Sequence, residues 1–345
     1  MQAKHITIVG GGLAGLTLGI GLRQRGVPVT VWETGRYPRH RVCGEFISGD
    51  GQRSLARLGL LAGLQKADAC SAVSAAFFGR QAKVPVLPLP EAALCISRFV
   101  LDDWLAREFQ RLGGELRAEE RWRGDAGEGI VRASGRRAAA VVDGWRLFGL
   151  KVHARDVVMA ADLELHFVSS GYVGLCRLTK GRVNICGLFR SEKTVPDLAQ
   201  RWRDWLAGPA DSALHARLAN AQFDEGSFCS VAGFSLRPQQ AAASDECRVG
   251  DALTMIPPLT GNGMSMAFES AELAIEPLAQ FHRGELTWTQ AQQQIAEACD
   301  VKFTRRLRWA GWLQRVLFQP SARSALLFLA SRSGWLWRGI FKRTR

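Results

Sequence analysis

The stretch that decides the fold is HITIVGGGLAGLTLGIGL, which covers residues 5–22. It begins with β-branched residues, which favour a strand. Three glycines follow in the pattern Gly-x-Gly-x-x-Gly, and the apolar residues 16–22 can then form a helix. A second strand-like run, residues 29–32, ends at Glu33, which lies 18 residues after Gly15, the last glycine of the pattern. This order of strand, glycine turn, helix and acid-tipped strand predicts a unit that binds a dinucleotide.

Each residue of the glycine turn has a physical role in this prediction. Gly10 permits the tight turn, Gly12 lets the backbone approach a pyrophosphate, and Gly15 lets the helix pack closely on the strand. The free N–H groups at the helix start favour a phosphate there, and an acid after the second strand can accept hydrogen bonds from a ribose. The alternative is an ordinary glycine-rich turn. The expected cofactor contacts in this unit are Gly10, Gly12, Leu13, Ala14, Gly15 and Glu33.

The composition indicates a globular protein with an anionic partner. The chain has 345 residues, of which 47% are hydrophobic and 22% are charged, as in ordinary folded domains. The 45 Lys and Arg residues outnumber the 32 Asp and Glu residues, for a formal net charge of +13. Such a balance suits a nucleic acid, a membrane surface or a phosphate-bearing ligand. Nucleic acid is the least favoured of the three, because no recognised motif accompanies the charge.

The basic residues concentrate at the end of the chain. Residues 301–345 contain no Asp or Glu, and they carry Trp309, Trp312, Trp335 and Trp337 among Arg, Lys and Leu. Two interpretations stay open: a basic helix lying on a membrane surface, or C-terminal helices packed on the rest of the protein.

The cysteines and the hydropathy pattern predict the compartment. None of the 8 cysteines forms Cys-x-x-Cys or stands with His at the spacing of zinc ligands, so we expect reduced thiols and no metal site. The first residues lack the basic and cleavable parts of a signal peptide. No run reaches the roughly 18 consecutive apolar residues of a spanning helix. We therefore expect a cytoplasmic protein. Peripheral contact to the inner face of the membrane through residues 301–345 is one of the two interpretations left open for that segment.

Further candidate residues follow the first unit. A basic loop, residues 36–41, can donate hydrogen bonds to phosphates or adenosine, although a solvated turn is the alternative; it is followed by Cys43-Gly44. Arg98 stands at the start of a predicted helix, where the helix dipole disfavours a cation. Ala133-Ser134-Gly135 follows a short strand, and residues 141–144 compete for the same position.

A second glycine-bearing block lies near the end of the predicted sheets. A strand ends at Gly250-Asp251, a loop with Pro257-Pro258 follows, and the residues 261–264, Gly-Asn-Gly-Met, open a long helix. The N–H groups at this helix start can stabilise negative charge on a ligand.

Together these motifs resemble those of FAD-dependent oxidoreductases with the para-hydroxybenzoate hydroxylase fold, in the branch of geranylgeranyl-reductase-like proteins and flavin monooxygenases. The resemblance implies FAD, with Cys43 beside the flavin ring as the candidate catalytic residue. It also implies that Arg98 reaches the flavin and that Asp251 holds the ribityl chain. The remaining cofactor-binding residues that we expect are Arg41, Gly250, Pro258, Gly261, Asn262, Gly263 and Met264.

The predicted fold class is mixed α/β (α+β): a Rossmann-like FAD-binding domain, an antiparallel sheet that interrupts it, and a helical C-terminus. The antiparallel sheet is expected because short alternating runs, such as residues 162–168 and 172–177, are separated by glycine turns. We expect the FAD-binding domain at residues 1–72, 97–144 and 240–290, the substrate domain at 73–96 and 145–239, and basic Trp-rich helices at 291–345.

Three functions follow from the resemblance. The favoured one is a monooxygenase that uses transiently docked NAD(P)H and O2 to hydroxylate a lipophilic aromatic or polyketide-type substrate. The Cys43-Gly44 pair favours a second, the reduction of isoprenoid C=C bonds, but that branch usually carries Tyr-x-Trp-x-Phe-Pro, whereas residues 172–177 are Tyr-Val-Gly-Leu-Cys-Arg. Halogenation is less favoured, since Trp-x-Trp-x-Ile-Pro is absent from the sequence. The third function is that of a flavin- or lipid-binding protein without turnover.

Overall fold

The computed structural model describes residues 4–79, 85–136, 139, 141–332 and 339, and within this part of the chain it has 13 strands. Their bounds are β1 (Ile6–Val9), β2 (Val29–Glu33), β3 (Phe46–Ile47), β4 (Cys70–Phe78), β5 (Leu87–Cys95), β6 (Glu115–Ala118), β7 (Ile130–Arg132), β8 (Arg146–Arg155), β9 (Leu163–Val168), β10 (Gly171–Arg177), β11 (Val183–Ser191), β12 (Gln222–Ala232) and β13 (Cys247–Arg248).

The helices lie mostly in the first third and the last third of the chain. They are α1 (Leu13–Arg23), α2 (Gly49–Arg57), α3 (Leu61–Lys66), α4 (Arg98–Arg111), α5 (Trp202–Ala207), α6 (Ala213–Leu218), α7 (Gly263–Arg283), α8 (Trp288–Leu317) and α9 (Pro320–Arg332). Helix α5 begins only at Trp202, after Asp197, whose φ of 50° an α-helix does not accommodate.

The first sheet is parallel and has the strand order β13-β7-β1-β2-β6. Residues 5–33 form the predicted strand–helix–strand unit, and β6 lies parallel beside β2 at the edge of this sheet. Between the two candidates for the turn after β7, the preferred Ala133-Ser134-Gly135 directly follows that strand, whereas Val142 and Trp145 form a separate small bridge.

The second sheet has the order β12-β8-β11-β10-β9-β4-β5-β3 and is antiparallel except where β4 pairs with β9. The antiparallel strands predicted after residue 145 are present as β8 to β11. The mixed α/β fold class is therefore confirmed.

The strand pairing differs in detail from the predicted division into domains. Residues 46–47 and 70–72, which we assigned to the FAD-binding domain, pair within the second sheet. Helix α8 begins before residue 291, and its inner face shares one hydrophobic core with the first sheet and with α1, α4 and α7. The domain division thus remains a proposal, with α8 joined to the first unit by packing. This core contains Ile8, Val31, Leu18, Phe109, Phe268, Phe303 and Leu307.

Two further findings concern the C-terminal segment. Among the described residues, no helix combines the length and the apolar character that crossing a bilayer requires. Trp335, Trp337 and most other residues after Arg332 lie outside the described part of the chain.

Candidate functional site

A cavity of about 900 Å³ lies between the two sheets. One side is formed where the parallel strands of the first sheet end, which is where open α/β sheets bind ligands. The other side is formed by β8 to β11 of the second sheet. The predicted site residues that line this cavity are Gly10, Gly12, Leu13, Ala14, Glu33, Arg41, Cys43, Arg98, Gly250, Asp251, Pro258, Gly261, Gly263 and Met264.

Both glycine-bearing motifs therefore face the same cavity, although 240 residues separate Gly10 from Gly250. They also touch each other. Gly250 has a φ of 63°, and a Cβ placed on it would lie 2.8 Å from the Cβ of Ala14. Position 250 therefore favours glycine for two reasons: the positive φ, and the lack of room for a side chain beside Ala14.

The three glycines of the first turn have different surroundings. A Cβ on Gly15 would overlap the carbonyl oxygen of Gly10, so this residue lets the helix start pack on the turn. A Cβ on Gly12 would meet no heavy atom within 4 Å, so its backbone borders open space in the cavity. Gly15 itself does not line the cavity, which fits its packing role.

Glu33 is buried at the end of β2, and its carboxylate is already bound by the protein. It accepts hydrogen bonds from the N–H of Gly11 at 3.0 Å and from the N–H of Gly35 at 2.9 Å. Arg39 forms an ion pair with it at 2.6 Å. Burial alone would raise the pKa of Glu33, but the hydrogen bonds from Arg39 and Gly35 hold it below its usual value. The side chain is therefore an ionised acceptor at the edge of the cavity.

The basic loop brings Arg41 to the same region. Its guanidinium lies 3.5 Å from the Glu33 carboxylate and 3.9 Å from that of Asp102. The buried Nε of Arg41 has no hydrogen-bond partner among the described residues. An anion in the cavity could accept from this donor.

Arg98 is held by a residue that the sequence analysis did not single out as a site residue. Its Nε and Nη2 donate to the two carboxylate oxygens of Asp102 at 2.6 and 2.8 Å. Asp102 is one helical turn further along α4, and its side chain is completely buried. This spacing of four residues was the available signal. The pair fixes a planar cation at the wall of the cavity.

Cys43 lines the cavity, and Asn184 of β11 holds its backbone by donating from Nδ2 to the Cys43 carbonyl at 2.9 Å. Burial raises the pKa of the thiol above its usual value, so the sulfur stays protonated near neutral pH. Cys43 is thus a neutral, positioned side chain. All eight cysteines are free thiols.

A buried polar cluster anchors the next residues of this loop to β8. Glu45 has a φ of 61° and is fully buried, and its carboxylate accepts from the Nε2 of His153 at 2.6 Å. The ammonium of Lys151, also fully buried, lies 3.5 Å from Glu45 and 2.9 Å from the Nδ1 of His40. His153 thus holds the loop against β8. This cluster could not be predicted from sequence patterns, because the loop residues and the β8 residues that meet in it are more than a hundred positions apart.

The second motif places Asp251 and the start of α7 at the cavity. Burial raises the pKa of the Asp251 carboxyl, and no described residue forms a hydrogen bond with it. Asn262 caps α7 without a side-chain bond to the helix N–H groups; it does not line the cavity and instead accepts from Ser48 Oγ at 2.9 Å. A Cβ on Gly263 would meet nothing within 4 Å. The helix start is thus open to a ligand.

A further part of the cavity wall is apolar. It is formed by the second sheet and, unexpectedly, by the C-terminal helices, whose contribution could not be read from the sequence. Its residues include Leu165, Phe167, Tyr172, Leu188, Phe234, Leu313, Leu317 and Leu326.

Known proteins share the local motif and the overall fold. A family described as "NAD(P)-binding Rossmann-like domain" matches residues 8–44. No curated protein sequence matches the chain.

Solved structures cover nearly the whole chain. A geranylgeranyl bacteriochlorophyll reductase-like protein from Thermoplasma acidophilum has a TM-score of 0.78 at 15% identity, over 98% of this chain and 96% of its own. The flavin-dependent brominase Bmp2 has a TM-score of 0.72 at 17% identity, over 94% and 92% of the two chains. PqsL, a probable FAD-dependent monooxygenase from Pseudomonas aeruginosa, has a TM-score of 0.70 at 16% identity, over 94% and 99%. The chain therefore has the fold of the FAD-dependent oxidoreductases, as its two glycine-bearing motifs predicted.

Proposed function

We propose that the protein is an FAD-dependent oxidoreductase whose cofactor lies extended through the cavity between the sheets. The observation that carries this proposal is the convergence of both glycine-bearing motifs on one cavity. The volume of about 900 Å³ is near the upper end of the range for ligand sites, about 300–1,000 Å³. Two polar groups that line it, the Nε of Arg41 and the carboxyl of Asp251, have no hydrogen-bond partner among the described residues.

Each part of the site suits one part of the cofactor. The open backbone at Gly12 and the start of α1 would bind the diphosphate, and Glu33 would accept from the ribose. Asp251 would accept from the ribityl hydroxyls, and the start of α7 would favour negative charge at the pyrimidine end of the flavin. FAD, when bound, supplies the electron transfer, while the protein positions it and excludes water.

The reaction that we propose is hydroxylation of a lipophilic aromatic or polyketide-type substrate with NAD(P)H and O2. The apolar wall supports a lipophilic substrate, and the likeness to PqsL supports a monooxygenase. The reductant would dock transiently, since the sequence contains one dinucleotide-binding unit.

A second reaction, reduction of an isoprenoid C=C bond, is favoured by a different observation. Cys43 lines the cavity as a half-buried, protonated thiol, and the fold is shared with a geranylgeranyl bacteriochlorophyll reductase-like protein. Tight FAD binding without turnover remains the alternative from another class.

Cofactor binding can be tested with two glycine variants. Gly12→Ala adds a methyl group to open space in the cavity, so the protein should fold normally but purify with little flavin absorbance. Gly311→Ala on α8 also meets nothing within 4 Å, lies outside the cavity, and should keep wild-type flavin content. Equal flavin content in the two variants, at equal thermal stability, contradicts the proposed diphosphate site.

The reaction can be tested by following NAD(P)H oxidation and O2 uptake with phenolic lipids and polyprenyl compounds. Substrate-stimulated O2 uptake with a hydroxylated product supports the monooxygenase. Anaerobic loss of a C=C bond supports the reductase. FAD retention without either reaction supports the non-catalytic alternative.

A further inference from the structure

Helix α8 has two faces of opposite character. Its inner face contributes Phe303 and Leu307 to the main core, and further along Leu313 and Leu317 line the cavity. Its other face is exposed. The helix therefore separates the apolar end of the cavity from the surroundings of the protein.

The exposed face carries a continuous stripe of basic and apolar side chains. They follow one another at intervals of four and three residues, so they all lie on one side of the helix. Val301 is 86% exposed and Trp312 is 45% exposed, and three exposed arginines lie between and beyond them. We call this set the outer stripe; it consists of Val301, Arg305, Arg308, Trp312 and Arg315.

The arginines of the outer stripe have no acidic partners in the described part of the chain. Neither Arg305 nor Arg308 nor Arg315 forms an ion pair there, and the sequence contains no Asp or Glu after Asp300. On α4, by contrast, exposed arginines have acidic partners: Arg107 pairs with Asp103 at 2.9 Å, and Arg111 with Glu108 at 2.6 Å. The stripe thus keeps its positive charge uncompensated.

Ordinary helix electrostatics do not account for this arrangement. A cation is favoured only in the last turn of a helix, which here includes Arg315. Arg305 and Arg308 lie two to three turns before the end of α8 at Leu317. An anionic surface outside the protein would explain all three cations.

The apolar members of the stripe identify the kind of surface. Trp312 packs edge-on against Trp309 with ring centroids 5.3 Å apart, which gives an aromatic pair at the surface. Indole rings favour the boundary between lipid headgroups and acyl chains. A lipid interface accepts an exposed valine and tryptophan among cations, whereas duplex nucleic acid would leave both in water.

We propose that the outer stripe docks on an anionic lipid bilayer, with α8 lying in the plane of the membrane surface. Docking itself does not depend on the proposed reaction. The consequence of docking for the substrate does depend on that reaction. Because the same helix forms a wall of the apolar end of the cavity, this end would adjoin the bilayer, and the substrate would be a membrane-dissolved lipid.

Vesicle sedimentation tests the proposal with the full chain. The wild type should sediment with vesicles of phosphatidylglycerol and phosphatidylcholine, and much less with phosphatidylcholine alone. Each arginine near an anionic surface contributes about a fivefold gain in affinity, so Arg305→Gln, Arg308→Gln and Arg315→Gln together should weaken binding about 100-fold.

The matched control removes three paired surface arginines, Arg107→Gln, Arg111→Gln and Arg283→Gln, and so has the same net charge. It should sediment like the wild type, whereas Trp312→Ala should bind less strongly without any change in charge. An equal loss in both triple variants would show a general charge effect and overturn the proposal. Stronger binding of the wild type to duplex DNA than to anionic vesicles would overturn it as well.

A flavin spectrum of each variant separates this proposal from the proposed function. Vesicle binding by protein that lacks flavin would support docking while contradicting the oxidoreductase. Flavin retention without vesicle binding would support the oxidoreductase while contradicting docking.

Discussion

The buried cluster on β8 allows a sharp test of what fixes the Cys43 loop. Lys151→Met replaces a fully buried ammonium by an apolar chain of similar length and leaves the buried Glu45 carboxylate without its cation. Removing one partner of a buried pair costs about 3–5 kcal/mol, because the remaining charge stays desolvated. We therefore expect the free energy of unfolding to fall by about this amount.

The control is an ion pair between a lysine and a carboxylate at the surface, in which the distance between nitrogen and oxygen is shorter. Lys180 lies 3.1 Å from Asp68 and its side chain is 70% exposed, whereas the Lys151–Glu45 distance is 3.5 Å. Exposed pairs contribute about 0–1 kcal/mol, so Lys180→Met should have little effect. We expect the burial of the ion pair, and not the distance between its charges, to decide how much the free energy of unfolding falls.

Urea unfolding followed by tryptophan fluorescence measures both effects. The double variant Lys151→Met with Glu45→Gln should recover much of the loss, because neither charge then remains unpaired. A Lys151→Met variant as stable as Lys180→Met would refute the reasoning, since it would mean that Glu45 does not need its cation.

Three further predictions concern single side chains. Burial, with the nearby Lys151, lowers the pKa of His40 from 6.5 to about 4. Because the unfolded chain then binds the proton more readily than the folded protein, the free energy of unfolding should fall as the pH drops from about 6.5 to about 4. His40→Gln should flatten this part of a profile of unfolding free energy against pH. Gly15→Ala places a methyl group on the Gly10 carbonyl and should cost about 1–3 kcal/mol in urea unfolding, unlike Gly12→Ala. Asp251→Ala should fold but lose flavin during gel filtration; unchanged flavin content would remove this residue from the proposed ribityl site.

Local sequence patterns predicted the first unit because each of its parts follows from nearby residues. Alternation and β-branching mark β1 and β2, and the turn between β1 and α1 needs glycine for conformation and space. The role of Gly15 could be stated in advance, since the helix start packs on the residue that begins the same turn. The preference for Ala133-Ser134-Gly135 also held, because a strand directly precedes it.

The buried cluster and the cavity wall could not be predicted in this way. Glu45 and His153 are 108 residues apart, and no periodicity links a loop residue to the face of a distant strand. Lys151 lies in β8 and is fully buried, with its ammonium 3.5 Å from Glu45. Leu313 and Leu317 carry no sign in the sequence that their helix closes a cavity.

The sequence by itself determined the parallel unit, the antiparallel sheet and the two glycine-bearing motifs, because strands, helices and tight turns depend on residues a few positions apart. The tertiary structure alone decided that both motifs meet at one cavity, that Glu45 is balanced by Lys151, and that α8 walls the apolar end. Those features depend on which distant surfaces exclude water together, and that is settled only when the whole core packs.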